Sequence, residues 1–475
     1  MKKIVILLLL LCLLISVTQI PLISYATSTA VTTPIDQTGA SRSCYGIDAN
    51  SSLFGTDLKI ENVKAAFLYE HNSDSLLYAY NADEKMHPAS MVKILTAIVA
   101  IENGNLEDVV VVSNSAVESI PYDAVSDSAL KPGEEITLLD LLYFMMVGSA
   151  NDAAVVIAEH ISGSQGQFVQ LMNQYASEIG CVGTQIVNPH GLHSNDQYTT
   201  ARDVARILNS ALDNEIFRTV FTAIEYTIPA TNMADKRYIS SRNSMMDTSS
   251  KLYYDSRVIG GRTGVAGDGS RCLASAAESN GMLVISVVMG SETVYQEDGY
   301  SAITVGSYKE TSQLLDAGFN GYQAAQILFA GQSFRQCAVI DGDCDVVLGP
   351  QVSVSTILPK GIGLSDLTFH YDDKPMHAPI EKETMLSTVE VWHAGMCIAT
   401  AELYAMNAVP VKTQLLQTEP SKDTSSGGVK ALVVILVILT VLVLAFLLHK
   451  FWGRIKKVIS MRKIRNRRRS HRRSR

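Results

Sequence analysis

The sequence HPASMVK, residues 87–93, leads directly into the apolar run ILTAIVAI, residues 94–101. Proline is tolerated in the first turn of a helix, and the apolar residues that follow it recur at helical spacing. The stretch therefore predicts a buried helix that begins near Pro88. Ser90 and Lys93 are three residues apart, so their side chains project from the same face of its first turn.

This serine–lysine pair has a chemical use. A serine hydroxyl is a weak nucleophile until a base accepts its proton, and a lysine is a base only when its amine is neutral. Burial and the positive end of a helix dipole both disfavour the ammonium form and lower the lysine pKa. Taken alone, the S-x-x-K pattern is also typical of an exposed capping serine beside a solvated lysine.

Strand and helix patterns continue on both sides of this segment. Residues 65–81, AAFLYEHNSDSLLYAYN, predict a β-hairpin. Helical periodicity covers residues 93–102, 137–147, 153–161, 167–179 and 307–319, and strand patterns cover residues 258–259, 271–276 and 283–289. The predicted order along the chain is strands, then a series of helices, then strands again. This order predicts an antiparallel sheet covered by helices, an α/β (α+β) fold.

Beyond Asn320 the pattern changes to short alternating runs separated by turn residues. These runs are residues 336–340, 346–348, 352–358, 367–371, 388–393 and 396–403. Alternation with a period of two predicts a small all-β C-terminal domain. The polar stretch that follows, residues 414–428, contains Ser-Ser-Gly-Gly and is typical of a flexible spacer.

The formal net charge of −8 conceals a segregation of charge along the chain. Residues 449–475 contain 13 of the 39 basic residues and no acidic residue. Residues 27–428 hold 23 basic residues and all 47 acidic ones, which gives this part a net charge of −24. An acidic body of this kind repels phosphates, so nucleic acid is not predicted as a partner.

Two apolar segments predict export and a membrane anchor. Lys2-Lys3 precede the apolar residues 4–17, and Ser24-Tyr25-Ala26 resembles a small-x-small cleavage site. This pattern predicts a signal peptide, with an uncleaved anchor as the alternative. Residues 431–448 are apolar except for Thr440 and span roughly 27 Å as a helix, which predicts a transmembrane segment rather than a buried core helix. The basic tail then lies in the cytoplasm and the acidic body outside.

Two further motifs carry polar groups suited to a cleft. Ser149-Ala150-Asn151 lies between two predicted helices and offers a hydroxyl and an amide, with helix capping as the alternative. Gly260-Gly261-Arg262-Thr263-Gly264 stands at the end of a strand pattern. Its glycines let a substrate backbone approach, and Arg262 with Thr263 can bind a carboxylate. The alternative for this motif is a hairpin turn with a surface arginine.

The order and spacing of the three motifs are more specific evidence of function than any single motif. S-x-x-K is followed after 59 residues by S-x-N, and after a further 113 by basic-Thr-Gly on a late strand. Penicillin-binding proteins and serine β-lactamases share this set. The chain resembles the low-molecular-mass penicillin-binding proteins, the serine D-alanyl-D-alanine carboxypeptidases of peptidase family S11. The stretches KPG (131–133), NPHGL (188–192) and TTARD (199–203) match further family motifs, so the resemblance covers roughly residues 63–319.

The resemblance implies a penicilloyl-serine transferase fold for one domain of a chain that has several further segments. The predicted parts are a signal peptide (1–26), a leader or linker (27–58), a DD-peptidase catalytic domain (59–320), a β-rich C-terminal domain (321–412), a linker (413–429), a transmembrane helix (430–452) and a basic cytoplasmic tail (453–475). The implied protein is a single-pass membrane enzyme of peptidoglycan and cell-wall biogenesis, with its catalytic domain outside the membrane and no cofactor.

The resemblance also implies roles for the motif residues. Ser90 would attack the penultimate carbonyl of a peptidoglycan stem peptide ending in D-Ala-D-Ala, with Lys93 as base, and form an acyl-enzyme. Ser149 would relay a proton to the leaving D-alanine, with Lys93 close by. The backbone N–H groups of Ser90 and Val265 would form the oxyanion hole. β-Lactams would acylate the same serine and act as inhibitors. The implied substrate-binding residues are Asn151, Arg262, Thr263, Gly264 and Val265.

Two departures from the family pattern leave alternatives open. Members usually have Lys-Thr-Gly where this chain has Arg262, and arginine binds carboxylates well but does not give up a proton. Many members also carry an arginine after the strand at residues 284–290, whereas the segment at residues 291–307 is acidic and has none. The alternative functions are a penicillin-binding wall sensor with impaired catalysis and a β-lactamase.

A metal-dependent mechanism is a further alternative. His190, His193 and Asp196 have side chains of the types that bind zinc. They lie in a stretch that contains proline and glycine, whereas zinc peptidases usually carry their histidine pair on a helix. No metal site is therefore predicted.

Overall fold

The structure is a computed structural model that describes residues 58–124, 130–295, 302–372 and 374–412. The predicted signal peptide, transmembrane helix and basic tail lie outside these ranges. No helix within the ranges is long and apolar enough to cross a membrane.

The part of the chain before residue 322 is built around an antiparallel sheet. Its strands, with those of the smaller hairpins of this part, are β1 (Ala65–Glu70), β2 (Ser75–Tyr80), β3 (Val109–Val111), β4 (Glu135–Thr137), β5 (Glu225–Ile228), β6 (Arg237–Ser240), β7 (Val258–Val265), β8 (Arg271–Ser279), β9 (Met282–Ser291), β10 (Thr293–Tyr295) and β11 (Ala302–Val305). In the described residues the main sheet has the order β2-β1-β9-β8-β7. Phe67 of β1 lies opposite both Ala79 and Val287, so the early hairpin is joined to the late strands.

Helices cover this sheet, and several begin at side-chain caps. They are α1 (Val92–Asn103), α2 (Asn114–Glu118), α3 (Leu138–Met146), α4 (Asn151–Ser162), α5 (Gln165–Glu178), α6 (Ala201–Leu212), α7 (Glu215–Phe221) and α8 (Gly306–Gly321). The Thr137 hydroxyl accepts a hydrogen bond from the Asp140 N–H at the start of α3. Thr200 caps α6 in the same way, which explains the threonine of the TTARD motif.

The two faces of the sheet pack against different helices. Successive side chains of a strand point to opposite faces. Ile285 and Val287 therefore belong to the core that contains α1, whereas Val284 and Val288 belong to the core that contains Leu314 of α8. Helix α1 lies at the centre of the first core, because ten of its twelve residues are buried.

The C-terminal domain is an all-β body, as the alternating pattern predicts. Its strands are β12 (Tyr322–Leu328), β13 (Arg335–Cys337), β14 (Val339–Ile340), β15 (Val346–Gly349), β16 (Val354–Pro359), β17 (Thr368–Tyr371), β18 (Met376–His377), β19 (Met385–His393) and β20 (Met396–Ala405). One sheet has the order β13-β15-β20-β19-β17, and β12 pairs with β16. The inward side chains of both sheets form one core.

The strand that carries the basic-Thr-Gly motif is longer than predicted. Strand β7 runs from Val258 to Val265, so the motif lies on a late strand, as its order in the sequence predicts, and the strand extends well beyond the pattern at residues 258–259. Gly260, Gly261 and Gly264 have no side chains to show the alternation on which a strand prediction depends, which explains the difference.

Candidate active site

The predicted serine–lysine pair meets at the entrance of helix α1. Ser90 lies in a short 3₁₀ turn, Ala89–Met91, that leads directly into the helix. The Lys93 Nζ lies 3.2 Å from the Ser90 Oγ. It also lies 2.7 Å from the Asn151 Oδ1 and 2.7 Å from the carbonyl oxygen of His190. Residues from three separate parts of the sequence thus converge on one amine.

The Lys93 side chain is completely buried, with an exposed fraction of 0 %. Burial lowers the pKa of its amine well below 10.5, and the positive charge of Arg262 lowers it further. The Asp152 carboxylate acts in the opposite direction and raises this pKa, while Arg242 lowers it. Desolvation is the largest of these effects, so the site favours a neutral lysine.

Ser149 lies between helices α3 and α4, as predicted, whereas Asn151 belongs to α4, which begins two residues earlier than the predicted start at residue 153. Ser149 has a left-handed backbone conformation with φ of 64°, a costly state for a non-glycine residue and one typical of functional sites. Asn151 is the first residue of α4. Its amide nitrogen donates to the carbonyl of Ala124 at 2.7 Å, which turns its oxygen toward Lys93.

The Arg262 guanidinium is 3 % exposed and is held by three acceptors. Its Nε donates to the Ser90 carbonyl at 3.2 Å, one terminal nitrogen donates to the Met146 carbonyl at 2.9 Å, and the other donates to the Ser149 Oγ. Burial, together with the charge of Arg242, lowers the pKa of Arg262 to about 10, so it is still charged at neutral pH. Ser149 is therefore joined to Arg262, whereas the resemblance implies Lys93 as its close neighbour.

The turn that carries Ser90 packs tightly against two glycines. Ala89 has a positive φ of 49°, which sets the direction of the chain just before the serine. Gly191 has φ of +84°, and a Cβ on it would overlap the Ala89 carbonyl oxygen. A Cβ on Gly264 would lie 2.8 Å from the Ala89 Cβ and 3.1 Å from the Ser90 nitrogen. Both sites require glycine, because strand β7 and the NPHGL stretch approach the turn at backbone contact.

Gly191→Ala is expected to slow acylation of Ser90 by penicillin about 10²-fold, because displacing the Ala89–Ser90 backbone moves the nucleophile away from Lys93. Time courses of labelling by fluorescent penicillin measure this rate. Gly281→Ala is the matched control: Gly281 also has a positive φ, of +75°, but nothing lies within 4 Å of its added Cβ. If the two variants slow labelling equally, the contact with Ala89 is not what positions Ser90.

Thr263, Gly264 and Val265 occupy the end of β7 beside this turn. Thr263 is half-buried, Gly264 is buried, and Val265 is 54 % exposed. The predicted substrate-binding residues of the basic-Thr-Gly motif thus lie next to the turn that carries Ser90. The buried Arg262 side chain contacts the backbone of this turn at the Ser90 carbonyl.

Arg242 is a further basic residue whose charge acts on the site, and the sequence motifs do not identify it. It is exposed in the connection between β6 and β7, and its charge lowers the pKa of both Lys93 and Arg262. The Tyr308 hydroxyl donates to the Arg242 carbonyl at 3.1 Å and helps to hold this connection in place. The position follows from the tertiary fold and leaves no local signal in the sequence.

His190 contributes its backbone to the site. Its carbonyl accepts from Lys93, and its Nδ1 accepts from the Leu192 N–H at 3.1 Å. Burial is the main cause that lowers the pKa of His190 to about 3, so the imidazole is neutral. Among the residues that the structure describes, no group of three or more His, Cys, Asp or Glu side chains could hold a metal ion.

The site combines a serine, Ser90, beside the buried Lys93 with a second serine, Ser149, that is bonded to the buried Arg262. Together with an antiparallel sheet covered by helices, this combination defines the penicilloyl-serine transferase class. The profile of family S11, D-alanyl-D-alanine carboxypeptidase, matches residues 56–293. That of the penicillin-binding protein 5 C-terminal domain matches residues 322–411. The chain belongs to the peptidase S11 family of D-alanyl-D-alanine carboxypeptidases.

Individual relatives agree with this assignment over most of the chain. The D-alanyl-D-alanine carboxypeptidase DacA of Haemophilus influenzae is 31% identical over 377 residues, which are 77% of this chain and 90% of the relative. DacF of Bacillus subtilis is 29% identical over 72% of this chain and 84% of its own length. The crystal structure of penicillin-binding protein 5 from Haemophilus influenzae superposes with a TM-score of 0.62 and 30% identity, over 75% of this chain and 99% of that one.

Proposed function

We propose that this chain removes the terminal D-alanine from peptidoglycan stem peptides through an acyl-enzyme on Ser90. The observation that carries the proposal is the set of partners around Lys93. A neutral amine has two N–H donors and one lone pair. The Asn151 and His190 oxygens, each 2.7 Å away, take the two donors, and the lone pair is left for the Ser90 hydroxyl at 3.2 Å.

This arrangement makes Lys93 the base that activates Ser90. The hydroxyl proton passes to the amine as the serine oxygen attacks the carbonyl carbon of the penultimate D-alanine. The backbone N–H groups of Ser90 and Val265 bind the resulting oxyanion, and collapse of the tetrahedral intermediate releases the last D-alanine. Water then hydrolyses the ester and regenerates the enzyme.

Ser149 supplies the proton for the leaving group. Because its oxygen accepts from the positively charged Arg262, its own proton is directed elsewhere and can be donated to the leaving amine. Arg262 does not exchange a proton itself, so it acts by fixed charge. Lys93 gained one proton in the attack on the carbonyl, and this proton balances the one that Ser149 gives up. Because Ser149 is bonded to Arg262 in the structure, the return of the proton to Ser149 requires a bridging solvent molecule.

The terminal carboxylate of the substrate is held at the basic end of the site. Arg262 is already bonded to Ser90, Met146 and Ser149, so its charge attracts the carboxylate while most of its donors are occupied. Arg242 is exposed and close enough to act on Arg262. We infer that Arg242 and Thr263 complete the carboxylate site, in place of the arginine that many members carry after β9.

Arg242→Ala is expected to raise KM for a D-Ala-D-Ala peptide roughly tenfold with a smaller change in kcat, because it removes an attraction that acts mainly on binding. Initial rates of D-alanine release over a range of peptide concentrations measure both constants. Lys251→Ala, which removes a positive charge from the same exposed connection, is the control and should leave KM unchanged. An unchanged KM in Arg242→Ala would show that the carboxylate binds elsewhere.

The proposed location is the outer face of a membrane. Residues 430–452, which contain the apolar run 431–448, would form the anchor. The basic segment 453–475 would form the cytoplasmic tail, because basic flanks remain on the cytoplasmic side. The catalytic domain would then face the cell wall. Membrane fractionation and protease protection of the tail in intact cells test this topology, and a tail cleaved from outside would contradict it.

The function itself is tested with two measurements on the purified full chain. D-Alanine should be released from a D-Ala-D-Ala peptide, and penicillin should add its own mass to the tryptic peptide that contains Ser90. Penicillin labelling without D-alanine release would identify a wall sensor, and rapid turnover of nitrocefin without a lasting adduct would identify a β-lactamase. Either result would contradict the proposal.

A further inference from the structure

The sheet β13-β15-β20-β19-β17 of the C-terminal domain has one covered face and one open face. Val389, Val391 and Leu403 point inward and form a core with Val354 and Leu358 of the neighbouring strand β16. The alternate residues of the same strands point away from this core and are half-buried or exposed. On strands β17, β19 and β20 this outer face comprises Thr368, His370, Thr388, Glu390, Trp392, Thr400, Glu402 and Tyr404, whose hydroxyl donates to Glu402.

A tryptophan, Trp392, lies at one end of this polar face, on the central strand β19 next to its turn into β20. The Trp392 ring stacks on the His370 ring, with centroids 5.3 Å apart and an interplanar angle of 14°. Its indole N–H donates to the Glu390 carboxylate at 2.9 Å. The ring is therefore held in one orientation, flanked by a carboxylate and an imidazole. A fixed aromatic ring loses little conformational entropy on binding and offers a large apolar area to a ligand.

The neighbours of Trp392 indicate the chemistry of that ligand. A protein-binding hot spot has an aromatic anchor surrounded by other apolar groups that exclude water. Here the neighbours on the outer face are hydroxyl, carboxylate and imidazole groups, which match a ligand with many hydroxyls and an apolar ring face. The C–H face of a pyranose can lie on the indole, because the ring face is the negative side of its quadrupole.

Charge distinguishes between the polymers that such a face can bind. Residues 27–428 have a net charge of −24, and the outer face itself contains Glu390 and Glu402 but no lysine or arginine. Polyanions such as phosphate-linked wall polymers or nucleic acid are therefore repelled. A neutral polysaccharide carries no such penalty.

We propose that the outer face of the C-terminal sheet binds a neutral glycan strand of N-acetylated amino sugars, with Trp392 as the stacking platform and Glu390 as a hydrogen-bond acceptor for sugar hydroxyls. The proposal rests on the proposed function, because the stem peptides that the active site would cleave are attached to a glycan of this kind. Two weak contacts with one polymer, glycan at the C-terminal domain and peptide at the active site, raise the local concentration of the substrate.

The chain offers a specific probe for this interaction. It contains two tryptophans, Trp392 and Trp452, so Trp452→Phe leaves Trp392 as the only indole in the full chain. Titration of this detergent-solubilised variant with the neutral hexamer of β-1,4-linked N-acetylglucosamine should change the Trp392 emission in a saturable way. Adding Glu390→Gln should weaken binding at least fivefold, which is the loss expected for one hydrogen bond to a charged acceptor.

Glu381→Gln is the matched control, because it removes the same charge from an exposed position of the same domain outside the outer face. It should leave the affinity for the hexamer unchanged. The proposal would be overturned if the Trp392 emission did not change, or if both substitutions weakened binding equally. An unchanged emission would favour a protein partner for this face.

D-Alanine release from a short soluble peptide is measured in parallel. Glycan binding without release contradicts only the proposed function, whereas release without glycan binding contradicts only this inference.

Discussion

Replacing Lys93 by methionine is expected to lower the rate of Ser90 acylation about 10³-fold or more, the usual effect of removing a base that activates a nucleophile. Methionine has a similar length and tolerates a buried site, so the packing around position 93 is largely retained. What is lost is the lone pair that accepts the serine proton. Stopped-flow or quenched-flow acylation by penicillin measures the rate directly and avoids the later hydrolysis step.

Two controls show whether this loss is specific to Lys93. Ser90→Ala gives the rate without a nucleophile, and the Lys93→Met rate should approach it, because residues that act as a unit have non-additive effects. Lys131→Met removes a lysine that donates to the Met233 carbonyl on the surface, and it should retain the wild-type rate. A Lys93→Met variant that is folded and acylates within tenfold of the wild type would show that another group activates the serine.

Much of the architecture can be predicted from the sequence because it depends on periodicity. The hairpin at residues 65–81 and the helices that begin near Lys93 and Asn151 have long, regular apolar patterns, and all are present in the structure. Helix α6 (Ala201–Leu212) is absent from the predicted helices, although its sequence contains the periodic signal: Ala201, Val204, Ala205, Leu208, Ala211 and Leu212 recur at helical spacing and are buried. What the sequence does not reveal is that Arg202 at its start is buried against Asp83, to which its Nε donates at 2.6 Å.

The sequence predicts which residues form the site, but it does not predict the hydrogen bonds and electrostatic effects that join them. The motifs identify Ser90, Lys93 and Arg262, and the structure brings all three together. The sequence does not reveal that the His190 carbonyl takes one hydrogen of Lys93, since any residue has a carbonyl. It likewise does not reveal that an exposed arginine between β6 and β7 acts on the buried pair. Both contacts depend on how distant segments pack, which leaves no local pattern.

The replacement of the usual lysine by Arg262 leads to the second large expected effect. Arg262→Ala is expected to lower the acylation rate about 10²-fold, because Ser149 loses a charged hydrogen-bond donor and the substrate carboxylate loses an attracting charge. The carbonyls of Ser90 and Met146 also lose their donors, so the variant should melt at a lower temperature.

Arg262→Lys restores the family motif and the charge but has one nitrogen for three acceptors. It should therefore acylate within about tenfold of the wild type, while its melting temperature falls as well.

The pH dependence of acylation separates the electrostatic role of Arg262 from a merely structural one. Lys93 acts as a base only when it is neutral, so the rate is high above its lowered pKa and falls as the pH drops through that value. Because the charge of Arg262 lowers this pKa, Arg262→Ala should raise the pKa of Lys93 and shift the acidic limb of the profile to higher pH. Arg262→Lys keeps the charge and should leave the limb in place. If both variants lose stability but neither shifts the acidic limb of the profile, Arg262 only supports the backbone around Ser90, and the neutral state of Lys93 depends on burial and on the charge of Arg242.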